Sequence, residues 1–418
     1  MSKFVGYQCS LCGKEYDSSY SGYVCEKDGG NLNVIPDYDS IRKTVKPQDI
    51  FDSKEASLWR YEPLLPVSDP GFAGTALHTA GWTPVYHLGT LAKQVGVRNL
   101  WVKDEGRNPT ASFKDRASAI LIARAKEIHA PTIVTASTGN AGAALAGMAA
   151  ASGWHAIIFA PKSAPPAKIA QLLVFGAEVI LVDGNYDSAF DLSVVAAEKY
   201  GWYCRNTGYN AFTVEGKKTG AFEIWEQILS KRQAAEKPLN IFVSVGDGNI
   251  ISGTHKGFID LNELGWLPQM PRIFGVQSEQ SDAVYQAWSK NSEEIIPVHA
   301  TTFADSISVD LPRDGVRAVR AATKTGGAYL SVPDEVIYRG ISELGKHGIF
   351  AEPAGATAFV GMEKAVKEGL INADDDVLVI NTGSGLKDIR SAMKATGEAT
   401  VIEPSLPALE KYLASKSK

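Results

Sequence analysis

Beyond about residue 95 the chain alternates short β-branched runs with longer alanine-rich runs of helical spacing, and this alternation constrains the fold more than any other feature. The runs at 100–103, 132–136, 156–160, 179–182, 241–245, 273–276 and 377–381 read as strands. Helical periodicity falls between them at 113–128, 141–152, 165–175, 186–200, 216–231, 251–264, 314–325, 334–348 and 354–368. Strands that alternate with helices in this way form parallel sheets covered by helices on both faces. The expected class is therefore α/β. Residues 37–95 are rich in proline, aromatics and turn residues, and are expected to wrap this body.

The chain of 418 residues is long enough for two or three domains, and 44% hydrophobic content is ordinary globular usage. A net charge of -5 lacks the positive field that phosphate-backbone binding uses, so nucleic acid is not an expected partner. No run approaches the ~20 apolar residues that span a bilayer, and the N-terminus carries no apolar signal core, so no membrane partner and a cytoplasmic location are expected. Four cysteines are too few to staple a chain of this size. Three of them, in Cys9-x-x-Cys12 and Cys25-x-x-Asp28, outline a zinc ribbon whose last position is a carboxylate. Structural zinc normally takes four N or S ligands, so a degenerate ribbon without metal is the expectation.

Four segments sit where a strand candidate gives way to a helix. Asn108-Pro109-Thr110-Ala111-Ser112-Phe113-Lys114-Asp115-Arg116 places Lys114 in the first turn of a helix, where the positive end of the helix dipole opposes an ammonium and favours a neutral amine. Ser137-Thr138-Gly139-Asn140 offers backbone N–H groups and short hydroxyls to an anion, or simply caps a helix. In Gly246-Asp247-Gly248-Asn249-Ile250, two glycines let successive N–H groups converge on a phosphate, with a spacing that is neither a Walker A loop nor a dinucleotide fingerprint. Thr382-Gly383-Ser384-Gly385 follows the last strand candidate. All four lie at carboxyl ends of strands, where open α/β sheets bind ligands.

Together with Glu215-Gly216-Lys217-Lys218-Thr219, the 304–308 and 351–355 segments and the cysteine-bearing start, these motifs resemble the fold type II pyridoxal-phosphate enzymes over nearly the whole chain, and among them the threonine synthases. The resemblance implies two domains with parallel sheets flanked by helices, plus a small zinc-ribbon-like appendage. The appendage would be 1–36, the larger cofactor-binding domain 37–125 with 211–405, and a smaller mobile domain 126–210. It implies pyridoxal 5'-phosphate, an amino-acid substrate and a homodimer. Lys114 would join the cofactor and act as acid and base. Asn140 would meet its phenolic oxygen, residues Gly246, Asp247, Gly248, Asn249 and Ile250 would cradle its phosphate, and Thr382 would face its ring nitrogen. Ser137 and Thr138 would hold the substrate carboxylate, with Asn249 also within reach of substrate.

The implied reaction converts O-phosphohomoserine and water to threonine and phosphate. A serine or threonine dehydratase, a β-replacement enzyme of the cysteate synthase kind, and a silent ligand-binding relative are the alternatives. The sequence departs from the family at three places. Ala111 stands where glycine is usual, which suits a position that needs no positive φ. Ser384 replaces a histidine. Thr213 stands where many members have a phosphate-binding arginine. Lys168 and Arg205 are the leading compensating cations, while Lys217 and Lys218 are expected to open a helix and point outward.

Overall fold

In the computed structural model, which describes residues 3–232 and 236–416, all seven strand candidates lie in two parallel sheets. The six-stranded sheet runs in the order β12 (Tyr329–Val332), β11 (Arg272–Ser278), β10 (Asn240–Ser244), β13 (Asp376–Asn381), β5 (Asn99–Asp104) and β4 (Val85–His87). Every neighbouring pair is parallel except β4 with β5. The four-stranded sheet is β8 (Glu178–Val182), β7 (His155–Pro161), β6 (Thr132–Ala136) and β9 (Tyr203–Cys204), all parallel. A separate antiparallel sheet of β2 (Glu15–Asp17), β1 (Phe4–Cys9) and β3 (Leu32–Pro36) forms the N-terminal ribbon. The strands β4, β9 and β12 escape sequence reading because each is four residues or shorter.

β6, β10 and β13 are buried at every residue, as continuous apolar runs covered on both faces must be. Burying side chains such as Phe242 or Ile241 contributes roughly 1.5 to 3 kcal/mol each. The helix Lys114–Glu127 is buried nearly all round, and its alanines allow close approach to the helices Asn140–Ser152 and Phe212–Lys217.

The helix expected at 216–231 is divided into Phe212–Lys217 and Thr219–Gln227, and the first follows a turn in which the Asn210 side chain accepts the Phe212 N–H at 2.9 Å. That start places Thr213 and Lys217 one helical turn apart on the same face. A buried ionic cluster fixes the frame. Arg116 donates to Glu105 at 2.7 and 2.8 Å and to Glu223 at 2.5 and 2.8 Å, while Lys103 donates to Glu223 at 2.6 Å. It joins the end of β5 to the start of the helix Lys114–Glu127 and to the helix Thr219–Gln227.

Candidate active site

Because β5, β10 and β13 are parallel, their carboxyl ends lie along one edge of the sheet, and the segments that follow them meet there. The segments after β5 and β13, and the turn at Glu352 before the helix Pro353–Lys367, are stitched by backbone bonds. Phe113 N–H donates to Thr382 O at 2.9 Å, Ser384 N–H to Ala111 O at 3.0 Å, and Glu352 N–H to Gly383 O at 3.0 Å. Ala111 has φ +65, so this position does need a left-handed backbone, and the alanine there is strained where glycine would not be. Asp115 accepts the Thr110 N–H at 2.6 Å and holds the turn that aims Lys114.

A pocket at this edge is lined by Lys114, Asn140, the loop from Gly246 to Ile250, Ser306, Glu352 and Thr382. Burial lowers the Lys114 pKa, opposed by Asp247 and Glu352 and aided by Arg205. Desolvation is therefore the main cause. Asn140 donates to Glu352 at 2.9 and 3.2 Å and to Ser306 at 3.2 Å, and the Thr382 hydroxyl donates to Glu352 at 3.3 Å. Burial raises the Glu352 pKa, partly offset by Asn140.

The glycine loop has no room for a side chain at either glycine. A Cβ on Gly246 would meet Ile307 Cα at 2.8 Å, and Gly248, at φ +90, would meet Asp314 O at 2.8 Å. Only a bare backbone can curl here at the start of the helix Asn249–Glu263. With the half-buried lysine opposite, these residues fit pyridoxal 5'-phosphate: an amine for its aldehyde, an N–H cradle for its phosphate, and polar groups at Asn140 and Thr382 for its ring.

Ser137 and Thr138 lie on the loop before Asn140 and do not line the pocket itself. Lys168 spans to Asp305 at 2.5 Å, so its charge is already matched. Arg205 is fully buried, donates to Thr207 at 2.7 Å, and leaves Nη2 without a partner. The outward orientation expected of Lys217 and Lys218 is wrong for both, since each is fully buried. Lys218 pairs with Glu215 at 2.5 Å and Asp260 at 2.8 Å. Lys217 donates to the Asn249 side-chain oxygen, and Asn249 in turn donates to Asp314 at 2.7 Å. Burial pushes the Lys217 pKa well down, with Lys114 and Arg205 adding to the effect. Sequence reasoning missed Glu352, Ser306 and the inward lysine. The first two stand in segments that carried the resemblance, and the third is signalled only by its four-residue spacing from Thr213.

Residues 76–383 match the pyridoxal-phosphate-dependent enzyme family, to which the chain belongs. A threonine synthase of Methanocaldococcus jannaschii is 36% identical over 409 residues, covering 97% of this chain and 98% of that one. Another, of Methanosarcina acetivorans, is 34% identical and covers 98% and 99%. Within the larger family the chain is therefore a member of the threonine synthases. Diaminopropionate ammonia lyase from Escherichia coli superimposes with a TM-score of 0.64 at 25% identity, covering 75% of this chain and 86% of that one. A threonine deaminase of Solanum lycopersicum gives 0.64 at 22%, covering 75% and 87%, and shows the shared fold alone.

Proposed function

We propose that this protein is a pyridoxal-phosphate-dependent lyase that converts O-phosphohomoserine and water to threonine and phosphate, with Lys114 as the residue that carries the protons. The observation that carries this reading is the convergence of Lys114, the 246–250 loop and Thr382 on one pocket in a chain that aligns with threonine synthases almost end to end. When bound, pyridoxal 5'-phosphate withdraws the electrons left when a bond at the substrate α carbon breaks.

The chain's own groups supply the rest. Gly246, Asp247, Gly248, Asn249 and Ile250 hold the cofactor phosphate on backbone N–H groups. Asn140 orients the ring from its phenolic side, and Thr382 offers a hydroxyl rather than a carboxylate to the ring nitrogen, which suits elimination and replacement more than transamination. Lys114 Nζ, whose pKa burial lowers, takes the Cα proton and passes it on, then takes a Cβ proton as phosphate leaves from Cγ; protons return to Cγ and Cα as water adds its hydroxyl at Cβ. Asn249 in the pocket, with Ser137 and Thr138 on the loop beside it, is assigned to the substrate's amino-acid end.

For the substrate phosphate we assign Arg205 and Lys217 in preference to Lys168. Among the described residues neither forms an ion pair, both are buried, and Arg205 helps lower the pKa of both Lys114 and Lys217. A dianion bound beside them would pair with Arg205 and draw Lys217 to its charged form, whereas Lys168 would first have to leave Asp305. The 126–210 segment is proposed to act as a smaller mobile domain that closes on the larger one. The homodimer, a cytoplasmic location and the absence of nucleic-acid or membrane partners belong to the same reading. They are supported by the family resemblance, the net charge of -5, and the lack, among the described residues, of any helix long and apolar enough to cross a membrane.

Purified protein supplied with O-phosphohomoserine should release phosphate and threonine in equal amounts. Turnover of serine or threonine to a 2-oxo acid, with O-phosphohomoserine ignored, would replace the synthase reading by the dehydratase one.

A further inference from the structure

The N-terminal ribbon contains two loops of the same construction. In the first, the Gly13 N–H donates to Cys9 O at 3.1 Å and the Cys9 N–H to Lys14 O at 2.8 Å. In the second, the Gly29 N–H donates to Cys25 O at 2.8 Å and the Cys25 N–H to Gly30 O at 2.9 Å. Both glycines are left-handed, at φ +73 and +70, so each loop turns sharply just after its last polar side chain. Cys12 and Asp28 occupy equivalent positions in the two loops.

The loops face each other, and the three Sγ atoms and one Asp28 oxygen all lie within 4.8 Å of one another. Cys12 and Cys25 approach to 3.8 Å without a disulfide, and Cys9 Sγ lies 3.3 Å from Asp28 Oδ1. These are the separations of ligand atoms at the corners of a tetrahedron whose centre is about 2.0 to 2.3 Å from each. Outer contacts already aim them: the Leu11 N–H points at Cys9 Sγ at 3.3 Å, the Tyr16 hydroxyl at Cys25 Sγ at 3.2 Å, and the Gly30 N–H at Asp28 Oδ1 at 2.9 Å.

We propose that Cys9, Cys12, Cys25 and Asp28 bind one structural Zn²⁺ per chain. The expectation of a ribbon without metal rested on Asp28 alone, yet a carboxylate oxygen is a competent zinc ligand, and the paired loops bring it to the fourth corner. Three thiolates select a soft, tetrahedral divalent ion over magnesium or calcium. Binding releases the thiol protons and closes the site, leaving no open position for substrate or water. Hydrogen bonds hold the ribbon against the body: Asn31 donates to Arg313 O at 2.8 Å and to Asp314 at 3.3 Å, and Arg317 donates to Asn33 at 2.9 Å. Asp314 is also the acceptor for Asn249, so the ribbon supports the phosphate loop from behind without entering it.

Elemental analysis of full-length, gel-filtered protein should find one zinc per chain. Co²⁺ added to the metal-stripped protein should give the strong visible d–d bands of a tetrahedral thiolate site, which Zn²⁺ then displaces. Asp28→Cys should keep one metal and resist chelator longer than wild type, and Tyr16→Phe should lose affinity by roughly tenfold. Cys9→Ser with Cys12→Ser should lose the metal, and if that variant fails to fold, the cobalt spectrum and Asp28→Cys decide the matter. Protein without stoichiometric metal and without tetrahedral cobalt bands, or a Cys12 to Cys25 disulfide in freshly reduced and purified protein, would overturn the proposal.

Discussion

Phe113 donates its backbone N–H to the carbonyl of Thr382 at 2.9 Å, so Lys114 and the Thr382 hydroxyl hang from a single pair of bonded segments. The separation between the amine and the floor of the pocket is thereby fixed by main chain rather than by flexible side chains. This rigidity lets one lysine serve several proton positions in turn.

Replacing Lys114 by alanine should abolish turnover while leaving a folded protein that still holds the cofactor through the 246–250 loop. Borohydride reduction of wild type followed by peptide mapping should place the pyridoxyl group on Lys114. Its appearance on Lys217, the other buried amine nearby, would reverse the assignment.

Ala111→Gly should stabilise the protein. Relief of the left-handed alanine is worth about 1 to 2 kcal/mol, offset in part by the greater freedom of glycine in the unfolded chain, for a net gain of about 0.5 to 1 kcal/mol. A higher Tm at unchanged cofactor loading is the expected result, and Ala111→Val should lower it.

Lys217→Met should raise KM for O-phosphohomoserine by about one to two orders of magnitude, the loss of a charge-assisted contact of ~1.5 to 3 kcal/mol. Lys168→Met, which removes a cation already matched by Asp305, should change KM several-fold at most. Cofactor absorbance, titrated in parallel, separates the two roles open to Lys217: a loss of cofactor affinity without a change in KM would move it to the cofactor phosphate. An arginine at Thr213 is no simple gain of function, because Thr213 is fully buried and bonded to Asn210 O at 2.7 Å.

Glu223→Ala should be among the most damaging substitutions outside the pocket. It leaves Lys103 buried without its carboxylate partner and Arg116 with Glu105 alone, at a cost of about 3 to 5 kcal/mol. Soluble yield and thermal denaturation should both fall, whereas substitution at the exposed Lys14–Glu26 pair should change stability by less than about 1 kcal/mol.

His255 is buried, and desolvation, with Lys324 second, lowers its pKa from 6.5 to about 4. Between these values the unfolded chain binds the proton and the folded chain does not, so stability rises with pH across this window. As pH falls from 6.5 the contribution is lost, reaching about 3 kcal/mol below pH 4. Denaturation midpoints measured from pH 4 to 7 should show this slope, and His255→Gln should flatten it.

The sequence by itself determined the α/β class and the places where strands end in glycine- and hydroxyl-bearing turns, because hydrophobic period and turn chemistry are local properties. Lys114, Asn140 and the 246–250 loop were legible for the same reason: each stands at a strand-to-helix junction that can be read within a dozen residues. Tertiary structure alone decided which buried charges face one another. Lys217 and Lys218 are adjacent and chemically identical, yet one turns toward Asn249 at the pocket and the other toward Glu215 and Asp260. That choice follows from where the helix begins, at Phe212 after the turn that Asn210 bonds. The left-handed turn at Ala111 follows from its pairing with Ser384, more than 270 residues away, and the fourth corner of the cysteine cluster from the facing of two loops. These are contacts between distant segments, and no local pattern encodes them.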